Sequence, residues 1–185
     1  MSYPGGTAFS YTNFGIGLNG YLVKVLSGID FGQHVHDSIF MPLDMERSCF
    51  FLSDLNIFNL AIGYDPDGGP NPHYGMASYP GVTMRSRALE LSNFAIMMIN
   101  DGIFRGNRIL EKESIDSMCV VQYPALSNCG LGLYRYQLQN ANGYGLGAQG
   151  RWHPGLCCSS AIQPERTNCR GGHDQFQHLC FRYHG

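Results

Sequence analysis

Charge is scarce in this sequence. Only 14% of its 185 residues are Asp, Glu, Lys or Arg, against the quarter usual in a soluble domain, and just two are lysines, Lys24 and Lys112. Twelve Lys and Arg against 14 Asp and Glu leave a formal charge of −2 with no basic run, which argues against nucleic acid as a partner, because nothing would neutralise a phosphate backbone. Long apolar runs are missing too. The longest, residues 94–99, falls far short of the roughly 20 needed to cross a bilayer, so no membrane span is expected. The opening Met1-Ser2-Tyr3-Pro4-Gly5-Gly6 has neither the charged nor the apolar segment of a secretory leader. A full disulfide framework is disfavoured as well. There are seven cysteines, an odd number, and only Cys49 precedes residue 119; scattered thiols in a reducing compartment fit better than a few disulfides or a metal site.

What is plentiful is apolar and conformationally permissive: 44% hydrophobic residues, 24 Gly, 11 Phe and 11 Tyr. The length suits one domain or part of one. Phe14, Leu18, Tyr21, Leu22, Val25 and Leu26 follow helical spacing and predict an amphipathic helix from Asn13 to Gly28. Asp30 is placed to cap a second helix carrying Phe31, Val35 and Ile39, which Pro42 ends, so the two form a helical hairpin. Residues 53–80 hold Asp65-Pro66-Asp67-Gly68-Gly69-Pro70-Asn71-Pro72 and read as a long surface loop. An apolar helix is expected over 89–100, closed by Asp101-Gly102, and a shorter one over 111–118. Leu131, Leu133, Tyr134, Tyr136 and Leu138 alternate roughly, with Asn142-Gly143 as a turn, and predict strands. No internal repeat is present.

Chemistry is most legible in Gly6-Thr7-Ala8-Phe9-Ser10-Tyr11-Thr12-Asn13, a turn running into a helix. It presents a phenol and a carboxamide two residues apart at a helix N-terminus. A tyrosine near cationic groups can lose its proton and act as a general base, while an asparagine amide can hold a substrate carbonyl. Taken alone, the pair is better explained as an ordinary capping asparagine beside a packed tyrosine.

The surroundings resemble the serine β-lactamase-like family, which includes class C β-lactamases, D-alanyl-D-alanine carboxypeptidases and related esterases. That family writes Pro-Gly-Thr-x-Phe-x-Tyr-Ser-Asn before a helix, and this chain differs chiefly by Gly5 for Pro. Its helix ending Ile-Phe-x-Pro-Leu-Gly-Met is matched by Ile39-Phe40-Met41-Pro42-Leu43-Asp44-Met45, with Asp44 for Gly. Tyr79-Pro80-Gly81 through Ser86 and the following helix resemble its Gly-rich turn and helix. Gly130-Leu131-Gly132-Leu133 resembles its Tyr-Gly-Leu-Gly-Trp strand, and Pro154-Gly155 the Pro-Gly after its third motif. The likeness spans about residues 4–165. It implies an α+β fold, β-lactamase/transpeptidase-like in part, with a helical region and an antiparallel sheet; residues 1–165 would form a partial domain and 166–185 a polar tail.

The implied reaction is acyl transfer. An upstream serine attacks an amide, β-lactam or ester carbonyl of a small-molecule or peptide substrate, and the acyl-enzyme is hydrolysed without metal or organic cofactor. Tyr11 would be the general base and Asn13 a substrate-positioning group. The family's Ser-x-x-Lys is absent: Tyr21 and Ile109 stand three residues before the two lysines. The expectation is therefore a fragment or truncated product that begins after that motif. By register from Pro154, the third motif falls at Gln149-Gly150-Arg151, where Gln149 can still donate a hydrogen bond but Arg151 replaces a small residue. Gly150 and Trp152 would help line the cleft. A rival reading is a non-catalytic pseudoenzyme that binds a peptide, cell-wall fragment or protein partner.

Cys169, His173, His178 and Cys180 place four soft ligands within twelve residues, enough in principle for zinc, but the spacing matches no zinc module and a poorly ordered tail with chance His and Cys explains them better. The family calls for an apolar strand after Pro164-Glu165, and the polar tail points to an altered reading frame or splice product. His34 and His36 face different sides of a helix and read as solvated surface, while Met97 and Met98 read as core. Without the family's N-terminal strand, an unpaired sheet edge is expected to drive self-association.

Overall fold

The computed structural model describes residues 3–64, 67–125, 128–137, 144–147, 152–153, 156–157 and 161–162. The chain forms two compact units, Ser10–Ile109 and the combination of Met1–Phe9 with Leu110–Gly185.

In the first unit, α1 spans Asn13–Ser27. The Thr12 hydroxyl accepts the Phe14 N–H at 3.2 Å, satisfying one of the orphan donors of the first turn. Gly28 ends the helix in the left-handed region, φ 73°, with its N–H on the Lys24 carbonyl. The apolar periodicity locates this helix, but the structure turns the stripe outward: Phe14, Leu18, Tyr21, Leu22, Val25 and Leu26 are all exposed. The inward face is the one with small residues. Gly20 is the buried residue of α1, and a Cβ there would lie 2.4 Å from the Pro80 ring; a Cβ at Gly81 would lie 2.9 Å from Ile16.

Helix α2, Phe31–Val35, continues into a π-turn over His36–Phe40, in which Met41 N–H reaches back five residues to the His36 carbonyl. Asp30 caps α2 by accepting the Gly32 N–H at 3.1 Å, and the Tyr79 hydroxyl donates to the same oxygen at 2.8 Å. Phe31, Phe40, Phe50, Phe51 and Tyr79 pack ring against ring, with centroids 4.8–6.1 Å apart.

The expected loop over 53–80 holds 3₁₀ turns at Leu52–Asp54, Ile57–Asn59 and, at its far end, Tyr79–Gly81. It also holds a two-residue ladder of β1 (Gly63–Tyr64) with β2 (Pro70–Asn71). Helix α3, Ala88–Ile99, buries Glu90, Ala95, Met97 and Met98, so the two methionines are core. Asp101 and Gly102 both take positive φ after it. A hairpin of β3 (Ile103–Phe104) and β4 (Asn107–Arg108) follows, turning on Arg105 and Gly106, both at positive φ as a two-residue hairpin turn requires. Phe40, Leu43, Met45, Phe50, Met97, Met98 and Phe104 form the core.

In the second unit α4 covers Lys112–Cys119. Strands β5 (Tyr134–Gln137), β6 (Tyr144–Gly147) and β9 (Ala161–Ile162) form an antiparallel sheet in the order β5-β6-β9. Strand β7 (Trp152–His153) pairs with β8 (Leu156–Cys157). Residues 130–133 precede the strand rather than open it, because Gly132 turns to φ 76°. Gly130 is tied to α4, where a Cβ would fall 2.1 Å from the Met118 carbonyl oxygen. The turn at 142–143 and the tail lie outside the described residues.

Candidate functional site

Tyr11 and Asn13 sit where the extended entry meets α1. The Tyr11 hydroxyl donates to Asn13 Oδ1 at 3.0 Å. Tyr11 is 45% exposed and Asn13 half-buried, so the pair opens to solvent. Thr12 orders it: by capping α1 it fixes the backbone between them, and the phenol then orients the carboxamide so that its NH₂ is the group directed elsewhere. A carboxamide held this way can donate to an acyl carbonyl. Of the other expected site residues, Trp152 lies in β7, paired with Cys157, while Gln149 and Gly150 lie outside the described residues.

The lysines are engaged with carboxylates. Lys24 Nζ contacts Asp30 at 3.4 Å and Lys112 Nζ contacts Asp116 at 2.9 Å. Asp30 is held below the usual carboxylate range, first by the Tyr79 hydroxyl and then by the Gly32 N–H and Lys24. The Tyr79 phenol moves up, through burial and its bond to Asp30.

Sequence reasoning missed a buried polar cluster around Glu90. This carboxylate, 3% exposed, accepts the Arg47 N–H at 3.2 Å, the Ser48 hydroxyl at 2.7 Å and the Arg87 guanidinium at 3.1 Å. Ser86 joins through Ser48 at 2.7 Å. A serine hydroxyl on a carboxylate has the makings of a nucleophile and base, but Ser48 is itself 3% exposed and its hydroxyl is committed to Glu90. Nearby lies a cleft of about 440 Å³ lined by Asp30, His36, Arg47, Ser48, Cys49 and Phe50 among others. Burial pushes the Cys49 thiol up and its Sγ donates to the Phe51 carbonyl, so it stays protonated and poorly nucleophilic. His36 is exposed, its Nδ1 2.9 Å from Asp37, and His34 is half-buried. Among the described residues no three His, Cys, Asp or Glu side chains converge to hold a metal; the Cys169 to Cys180 cluster lies outside them. No described helix is long and apolar enough to cross a membrane.

The fold is β-lactamase/transpeptidase-like. The chain superposes on a class C β-lactamase from Rhodobacter sphaeroides with a TM-score of 0.67 at 14% identity, covering 84% of this chain and 52% of that one. It superposes on a D-alanine carboxypeptidase from Burkholderia cenocepacia at 0.63 and 18%, covering 86% and 53%. The octameric penicillin-binding protein homologue from Pyrococcus abyssi gives 0.66 at 25%, covering 89% and 37%. The family model described as Beta-lactamase matches residues 1–166, and the chain belongs to that family. No curated protein matches it. The chain spans between 37% and 53% of the length of these solved relatives.

Family membership explains one anomaly. Where the family writes Gly, Asp44 adopts φ 54°, a left-handed conformation that aspartate tolerates better than most residues, and it pairs with Arg105.

Proposed function

We propose that this chain is part of a serine β-lactamase-like hydrolase that works by acyl transfer on an amide, β-lactam or ester carbonyl. In this reading Tyr11 is the general base, Asn13 positions the acyl group, and Gln149, Gly150 and Trp152 line the substrate. The observation that carries it is the Tyr11 to Asn13 hydrogen bond at the open start of α1, inside the stretch that the family match covers.

The isolated chain is proposed to be inactive. Oxyanion stabilisation needs the nucleophile's own N–H, and no Ser-x-x-Lys supplies one. Both lysines contact carboxylates, Lys24 with Asp30 and Lys112 with Asp116. These same observations favour the second reading, a pseudoenzyme that uses the cleft only to bind.

Intact mass after incubation with nitrocefin, and separately with p-nitrophenyl acetate, tests the reading against a Tyr11→Phe control. The expected result is no stoichiometric adduct on folded protein. An adduct mapped to a serine and lost in Tyr11→Phe overturns the inactivity. Equilibrium binding of the β-lactam without an adduct, weakened at least tenfold in Asn13→Ala, favours the binding-only reading. No binding at all removes Asn13 from the role assigned to it.

A further inference from the structure

An aspartate followed by glycine carries a chemistry of its own. With no Cβ on the glycine, its amide nitrogen can approach and attack the aspartate's side-chain carboxyl carbon. Two such pairs lie among the described residues, Asp67-Gly68 and Asp101-Gly102, and in both the glycine takes φ 87°. They differ in what holds the attacking N–H. Gly102 is buried and donates to the Met97 carbonyl at 2.9 Å, closing the last turn of α3, while the Asp101 carbonyl accepts from Arg108 at 3.2 Å. Gly68 lies in the connection between β1 and β2, and its N–H makes no hydrogen bond among the described residues. The Asp67 carboxylate has no partner among them either, and a Cβ at Gly68 would meet nothing within 4 Å. The ladder that closes this connection is only Gly63 with Asn71 and Tyr64 with Pro70, so little opposes rotation of the backbone at Asp67.

We propose that Asp67 is a site of spontaneous modification, where aspartate converts to isoaspartate, and that its bond to Met97 protects the same dipeptide at Asp101-Gly102. The Gly68 nitrogen bonds to the Asp67 side-chain carbon. One carboxyl oxygen leaves as water, taking the amide proton and the acid proton, and a five-membered imide remains. Water then adds to the main-chain carbonyl of the imide and breaks its bond to nitrogen, so the chain runs on through the side-chain carbon. No oxidant or reductant is needed. The charge is unchanged, but the backbone between β1 and β2 gains one methylene, and the freed main-chain carboxylate is what an isoaspartyl carboxyl methyltransferase would accept. At Asp101 the same attack first requires Gly102 to leave the Met97 carbonyl, a local opening at the end of a helix that carries core residues.

Incubation of the folded chain at mildly acidic pH tests this, with peptides from successive aliquots fragmented by electron transfer to locate isoaspartate. Isoaspartate is expected to accumulate at Asp67 at least about tenfold faster than at Asp101, a barrier difference of about 1.4 kcal/mol. In concentrated urea the two rates should converge, since both sites are then an unfolded Asp-Gly. Asp67→Glu, whose attack would need a six-membered ring, should remove the signal from that peptide and leave Asp101 unchanged. Asn142-Gly143 maps to a separate peptide and is marked by the mass change of deamidation, so it does not enter the comparison. Equal rates at the two sites in the folded chain overturn the proposal, as does an absence of isoaspartate at Asp67. A tenfold ratio that persists in urea also overturns it, because local sequence and not the hydrogen bond would then be the cause. None of these readouts involves acyl chemistry, so this proposal and the proposed function fail separately.

Discussion

Glu90 shows how much one buried carboxylate can organise. Its oxygens accept from a backbone amide, a hydroxyl and a guanidinium, tying the Arg47-Ser48 segment to the start of α3. Removing it leaves those donors buried without acceptors. Glu90→Ala should therefore cost about 3 kcal/mol in urea unfolding, and Glu90→Gln, which keeps one acceptor oxygen, clearly less. A loss under about 0.5 kcal/mol for Glu90→Ala would mean the cluster is not holding the fold. Asp44 is the opposite case. Its family motif was readable in the sequence, yet the need for a left-handed residue there became visible only with its φ of 54°.

Among the elements, α1 was legible in position and misleading in orientation. Its caps act over two to four residues, so Thr12 and Gly28 declare its ends locally. Which face turns inward is decided by Pro80, sixty residues on, whose ring needs the space that Gly20 leaves. Gly20→Ala places a methyl 2.4 Å from that ring and should cost about 1–3 kcal/mol, even though alanine is the better helix former. Denaturant unfolding that shows Gly20→Ala as stable as the parent would contradict this packing. The expected strand over 131–138 begins later, at Tyr134, because alternation cannot register that Gly132 leaves the extended region.

At the scale of the whole molecule the low charge makes each ion pair conspicuous, and among the described residues two carboxylates, Asp30 and Asp37, are depressed. Asp30 is lowered chiefly by the Tyr79 hydroxyl, and Asp37 chiefly by His36. A carboxyl whose folded pKa lies below its unfolded value contributes stability above about pH 4, and that contribution is lost as pH falls through the folded value. Urea midpoints should accordingly drop between about pH 5 and about pH 2.5, and less steeply in Asp30→Asn, which keeps the helix cap but not the charge. Parallel profiles would show that Asp30 is not linked to folding. α1 shows seven open apolar side chains, Ile16 among them, where a free-standing helix would show polar ones.

The sequence by itself determined the approximate extent of α1, α3 and α4, the Asp30 cap, the Gly28 stop and the family, since turns and motif spacings are local and survive in a linear string. It also placed Tyr11 and Asn13 together, as neighbours on one turn must be. Tertiary structure alone decided that the apolar side of α1 faces outward and that Ser48 donates its hydroxyl to Glu90, 42 residues away. It also decided that Lys24 contacts Asp30. Packing and burial depend on which distant segments arrive at the same place, and periodicity within one segment carries no information about what waits on either side of it.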